Sequence, residues 1–398
     1  MFQSLFTTIH YLFKEEVNMK KSGYILFVVM ALLLVSPILF KNITGQVLCF
    51  AETVEDLRKE VDELKNRVEV LSAEQEDMGD KVLKRIKVTG YADLDYTMTD
   101  KKGESNQFKT HKFALILKKE WTEEWNFFTE VEYEYGAEIE AENKTVKKGE
   151  GKVYNEIFYL EYRPSYMAEF RFGRFLTPAG IWNQEPYAPF VPTDSRPLHI
   201  RNIFPQTSDG LQMQGQLNLG SITSRYNVYV ANGAGEPGKT DSNQNKAVGG
   251  RVAFHLPVLD DLNLGASGYK GEEKDTDMQM RDSYGFDLKL AIKGLKLWSE
   301  YANAKFTPKS GSGAYDRNGF YGQLMYDIRK LTAIYRYDTY EPSNIVANDK
   351  TTVNTVALNY HFTPEIVAKV EHQLFDLENP SSTDYTQTTF SMAVYFGE

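Results

Sequence analysis

The sequence is short of several things, and each shortage excludes something. It has one cysteine, Cys49, in 398 residues, so no internal disulfide can staple it. It has one long apolar run, residues 23–40, and a mean hydropathy of -0.45. A bundle of transmembrane helices needs many such runs. It is short of basic residues, 45 Lys and Arg against 55 Asp and Glu, which argues against a nucleic-acid partner. The six histidines, His10, His111, His199, His255, His361 and His372, show no metal-ligand spacing. Neither G-x-S-x-G, H-E-x-x-H nor a P-loop occurs, so no catalytic residue, metal or cofactor is expected. What the chain does have is aromatic residues, 25 Tyr and 24 Phe. That many argue against disorder. They leave a large soluble β protein, or a membrane β-barrel whose polar lumen keeps average hydropathy low.

The apolar run follows Lys20 and Lys21 and ends near Cys49-Phe50-Ala51. A charged n-region, an apolar core and small residues at -3 and -1 describe an export signal spanning 1–51. An uncleaved anchor is the competing reading, since 18 apolar residues can just cross a bilayer. Leu48 before Cys49, where a small residue is needed, argues against a lipid-modified cysteine. Residues 1–51 carry four lysines against two glutamates, so their removal takes the net charge from -10 to -12.

Over 52–85 the period changes. Val54, Leu57, Val61, Leu64, Val68 and Leu71 alternate three- and four-residue steps with polar residues between. This narrow seam predicts a coiled coil that needs partner strands, placed in the periplasm. One amphipathic helix lying on its own domain is the alternative.

From 86 to 398 the period is two. In 210–218, Leu211, Met213, Gly215 and Leu217 oppose Gln212, Gln214, Gln216 and Asn218. Sixteen such segments occur, joined alternately by short turns and long loops. That rhythm predicts a 16-stranded antiparallel outer-membrane β-barrel, an all-β transmembrane fold in contact with membrane lipid. Trp125, Tyr162, Phe254, Tyr301, Tyr337, Phe362 and Phe396 are the expected interfacial aromatics. The third long loop, 176–209, holds six of the 14 prolines together with Trp182, Tyr187, Phe190 and Phe204. Such a loop reads as stiff and packed. Folded into a sixteen-stranded barrel, it would narrow the aqueous channel that this strand number leaves.

The run FRFGRFLTPAGIW at 170–182, the long proline and aromatic loop after it, and the strand DGLQMQGQL resemble the phosphate-selective porin O/P family. The resemblance covers about 52–398 and is sharpest over 170–217. It implies a homotrimer that passes small anions, carboxylates or sugars by diffusion. The dense arginine ladder of a phosphate-selective member is not visible.

The residues expected to select solutes are Arg196, His199 and Arg201 on the loop and Arg171, Arg225 and Arg251 on the wall. Lys289, Lys296, Arg336 and Lys369 share the lumen face by alternation. Rings of cations favour anions, so a weak anion preference is expected, although many carboxylates share that face. Two functional classes remain: a porin passing small anionic or neutral solutes, and a structural anchor tethering the envelope through its coiled coil, with peptidoglycan as a partner.

Overall fold

The computed structural model describes residues 59–70, 86–134, 152–200, 202–233, 245–273, 279–308 and 313–397. The export signal, much of the heptad segment and Arg201 lie outside them.

The strands are β1 Ile86–Thr99, β2 Gln107–Glu120, β3 Trp125–Glu134, β4 Lys152–Ser165, β5 Ala168–Leu176, β6 Thr207–Leu219, β7 Ile222–Ala231 and β8 Ala247–Leu256. They continue as β9 Asp261–Glu273, β10 Gln279–Ile292, β11 Leu295–Pro308, β12 Tyr315–Ile328, β13 Leu331–Glu341, β14 Thr351–His361, β15 Ile366–Leu377 and β16 Tyr385–Gly397. Each pairs antiparallel with its sequence neighbours, and β1 pairs with β16 to close the barrel. Closure leaves no unpaired edge, the condition for a sheet to sit in lipid.

The alternation expected from the sequence is present with its polarity inverted relative to a soluble protein. Outward side chains such as Leu94, Phe108, Phe172, Phe286 and Val356 are apolar and exposed. Inward ones such as Glu130, Glu132, Gln323, Arg336 and Thr355 are polar and buried. Only lipid makes such an outer face favourable. Among the described residues no helix is long and apolar enough to cross a membrane; the strands cross instead.

One rim carries tight turns, for instance 220–221, 293–294 and 329–330. Lys293 and Gly294 both have positive φ (49° and 85°), the backbone of a two-residue hairpin whose twist matches its strands. The other rim carries the long connections. Near the tight-turn rim Trp125 stacks on Tyr162 at 4.6 Å, and Phe254 and Phe362 are exposed. Tyr301 and Tyr337 are exposed at mid-strand on β11 and β13, away from either rim. The bounds of the third long loop differ from the sequence reading. β6 begins at Thr207 because Thr207–Asp209 pair with Leu176–Arg174, which shortens the loop to 177–206. β10 begins at Gln279, paired with both Glu273 and Pro308.

Residues 59–70 form one helix, α1, in a compact unit separate from the barrel. Val61, Leu64 and Val68 of the heptad seam are exposed on it.

Candidate functional site

The site is the barrel interior and the segment 177–206 folded into it. The segment's root is tied by short-range bonds. Thr177 N–H donates to Gln206 O (2.9 Å), Thr177 and Ser208 hydroxyls pair at 2.8 Å, and the Asn183 amide donates to Thr177 O at 2.7 Å. Gly180 then turns the chain inward. Its φ is +59°, and a Cβ there would stand 1.9 Å from a Glu300 carboxylate oxygen. Both the left-handed backbone and the close approach require glycine.

Beyond the turn, inward side chains of the far wall bind the segment's backbone. Glu300 on β11 accepts from Trp182 N–H (3.1 Å) and from the Tyr321 hydroxyl (2.9 Å). Lys369 on β15 donates to Ala188 O and Val191 O, both at 2.7 Å. Asn359 on β14 donates to Pro192 O (2.7 Å). Glu371 accepts from Asp194 N–H (2.9 Å) and Ser195 N–H (3.3 Å). Asp338 on β13 accepts from Leu198 N–H (2.9 Å). Arg336 is 0% exposed. Its guanidinium donates to Ser195 O (2.9 Å), Ser195 Oγ (2.7 Å) and Thr193 Oγ1. A loop rich in proline has few backbone partners of its own, and buried polar groups must be paired. The wall charges supply those partners.

The apolar side chains follow. Trp182 and Ile181 pack with Tyr321, and Ile203 and Phe204 join Phe175, Ala302 and Phe306. Tyr187 meets Tyr91 of β1 edge-on at 5.6 Å, and Phe190 meets Tyr395 of β16 at 5.3 Å. The loop thus runs from its β5–β6 root across β9 to β16 and reaches β1.

The residues expected to select solutes are not brought together as one cluster. His199 is 2% exposed and stacked on Tyr321 of the wall at 5.9 Å, on the side of the loop turned away from the lumen. Burial, then the nearby Arg336 charge, pushes its imidazole down to about 3, so it stays neutral. It does not present a cation to the lumen. Arg201 lies outside the described residues. Arg196 is half-buried on the loop. Arg171 lies on the lumen face of β5, 4.6 Å over the Tyr159 ring, and donates to Glu161 at 2.8 Å. Arg225 is inward on β7 and exposed. Arg251 on β8 is held by Asp287 on β10, one nitrogen at 2.8 Å, and by Ser267 Oγ at 3.2 Å. Arg336 and Lys369 face inward as expected, yet both hold the loop rather than face solute.

The wall away from the latched side keeps solvent contact. Lys109, Glu169, Arg171 and Gln214 are half-buried there and Arg225 is exposed. Glu130, Glu132 and Glu156, by contrast, are buried. Tyr91 donates to Glu130 (3.0 Å), Lys112 to Glu132, and Gln206 of the loop to Glu156. Two groupings went unread in the sequence: the Tyr91–Glu130–Tyr187 contact and the Asp93, Asp95, His111 cluster. Asp93 and Asp95 stand two apart on β1 and so share a face, but nothing in the sequence pattern marks which residue of another strand stands beside them.

A family model described as Gram-negative porin matches residues 71–380. An uncharacterised protein of Aquifex aeolicus (strain VF5) is 28% identical over 287 residues, 62% of this chain and 63% of that protein. The chain therefore spans under two thirds of that relative's length. Among solved structures, Salmonella typhi OmpF in complex with daunomycin is similar with a TM-score of 0.57 at 12% identity, covering 78% of this chain and 97% of that one. In-vitro folded OmpT of Vibrio cholerae, in its trimer form, gives 0.54 at 13%, covering 78% and 99%. The outer membrane channel DcaP of Acinetobacter baumannii gives 0.50 at 13%, covering 78% and 97%. At these identities the likeness is one of fold.

Proposed function

The chain belongs to the Gram-negative porin family, and from that premise we propose that it forms a water-filled channel for passive diffusion of small hydrophilic solutes across the outer membrane. Family and fold point to a channel rather than an enzyme. The observation that carries the reading is one-sided latching. The loop is bonded to inward side chains of β9–β15, while Lys109, Glu169, Arg171, Gln214 and Arg225 on β2 and β5–β7 stay in contact with solvent. A loop that narrows a lumen without filling it is a sieve.

We assign the channel a weak preference for small anions over cations, with neutral solutes also passing. The chain's acidic surplus does not oppose this, because much of it is out of the path. Glu300, Asp338 and Glu371 are buried against the loop, and Glu130, Glu132 and Glu156 are buried in the wall. Arg171 and Arg225 on the wall, which keep solvent contact, carry the preference together with Arg196 on the loop, and His199 does not. Within the porins we align the chain with the phosphate-selective O/P branch on the FRFGRFLTPAGIW run; phosphate itself is not assigned, since no dense arginine ladder appears. The seam exposed on α1, together with the trimer form of the Vibrio relative, supports a homotrimer with a periplasmic coiled coil.

Proteoliposome swelling tests the channel. Vesicles carrying the protein should swell in isotonic solutions of small sugars and progressively less as the sugar grows. Swelling no faster than in protein-free vesicles would leave the barrel as an anchor.

A further inference from the structure

The lumen wall holds a cluster that the channel reading does not use. Asp93 and Asp95 stand two apart on β1, so both point inward. The β1–β2 register slips between Asp93 and Leu94: Asp93 faces Lys112 and Leu94 faces Thr110, leaving His111 as the extra residue. A bulge of this kind re-aims a side chain. Here it turns the imidazole to the two carboxylates, with His111 Nδ1 at 2.6 Å from Asp93 Oδ2 and 3.3 Å from Asp95 Oδ2. One donor atom from each residue lies within 4.8 Å of the others.

We propose that Asp93, Asp95 and His111 form a binding site for a first-row divalent cation of the zinc class. Tetrahedral coordination with bonds of about 2.0–2.1 Å puts ligand atoms about 3.3 Å apart, a spacing this cluster already approaches. One imidazole and two carboxylates suit zinc better than calcium or magnesium, which prefer all-oxygen sets.

A second observation points to a ligand. Asp93 Oδ1 and Asp95 Oδ1 are buried and accept no hydrogen bond from any described residue. The nearby ammonium of Lys369 does not supply one, because it is turned to Ala188 O and Val191 O. Orphaned anionic oxygens are costly to bury, and a divalent cation would satisfy them. His111 is half-buried, which leaves the site open to the lumen.

The test is calorimetric titration of the tag-free, chelator-washed full chain in detergent with zinc chloride. One saturable site per chain is expected. His111→Ala and the isosteric Asp95→Asn should each weaken it by about 100-fold or more, the scale on which even outer-shell losses act. His372→Ala, on the outer face, should leave it unchanged. Heat-modifiable gel mobility reports whether each variant keeps the barrel. X-ray absorption of the zinc-loaded protein should show one imidazole nitrogen among oxygen donors. Absence of saturable binding, or equal affinity in folded His111→Ala and Asp95→Asn, would overturn the site and leave an imidazolium–carboxylate cluster. Binding is read without current, so its failure and a failure of the channel reading are separable.

Discussion

Arg336 illustrates how residue identity acts in this lumen. A charge with no solvent contact needs partners, and Arg336 finds them in Thr193 and Ser195 of the loop through its two terminal nitrogens and in the Asp338 carboxylate, 3.8 Å from its Nε. Removing one partner of such an arrangement costs about 3–5 kcal/mol, because the groups left behind stay buried. Arg336→Ala should therefore release part of the loop and give larger, noisier single channels. Arg336→Lys should rescue incompletely, since an ammonium lacks the planar fork. Unchanged channel size in the alanine variant would mean the other latches suffice. His199 and Asp194 give the loop opposing pH responses. In a released loop they titrate near 6.5 and 3.8; in place, His199 is down to about 3 and Asp194 up to about 7. The His199 contribution to the seated loop is complete above 6.5 and falls away as pH drops towards 3. The Asp194 contribution is complete below 3.8 and falls away as pH rises towards 7. His199→Phe removes only the first. At about pH 5 its loop should be held more firmly than the native one, by up to about 2 kcal/mol, read as fewer excursions to larger conductance in single-channel records. A frequency of such excursions equal to the native protein at that pH would contradict this.

At the scale of elements, the strands were legible because a period of two is a property of sequence alone. The loop was legible too: prolines at 178, 186, 189, 192, 197 and 205 with aromatics between them mark a packed segment. Partner choice was not legible. Alternation assigns Arg336, Lys369 and Glu371 to the inner face but cannot distinguish a side chain that meets solute from one that meets the loop. His199 failed for the same reason, since its burial depends on Tyr321 and Gly319, more than a hundred residues away. The His111 bulge is a matter of register, which pattern does not encode. Gly180 is the loop's most exacting position. Gly180→Ala would meet both a disfavoured φ and Glu300, so it should unseat the loop's entry and alter conductance while the barrel still assembles. Native conductance in this variant would show that Glu300 can yield.

For the whole molecule, closure between β1 and β16 decides whether there is a barrel at all. Gly90 pairs with Phe396, and a Cβ there would lie 2.5 Å from the Phe396 ring, which stacks on Phe113 at 5.9 Å. An aromatic laid over a strand glycine seals this seam. Phe396→Ala should reduce the folded barrel recovered from cells several-fold, read as heat-modifiable mobility; undiminished recovery would remove Phe396 from assembly. Deletion of residues 52–85 should weaken the trimer, read as mass in detergent, if the seam of Val61, Leu64 and Val68 joins three chains. The most direct measurement is the current through single molecules in a planar bilayer separating unequal potassium chloride concentrations. Stepwise ohmic openings are expected, with a reversal potential displaced modestly to the chloride side and moved towards cations in an Arg171→Ala, Arg196→Ala, Arg225→Ala variant. A silent bilayer with correctly folded protein would contradict the channel, and a reversal potential on the potassium side would contradict its selectivity.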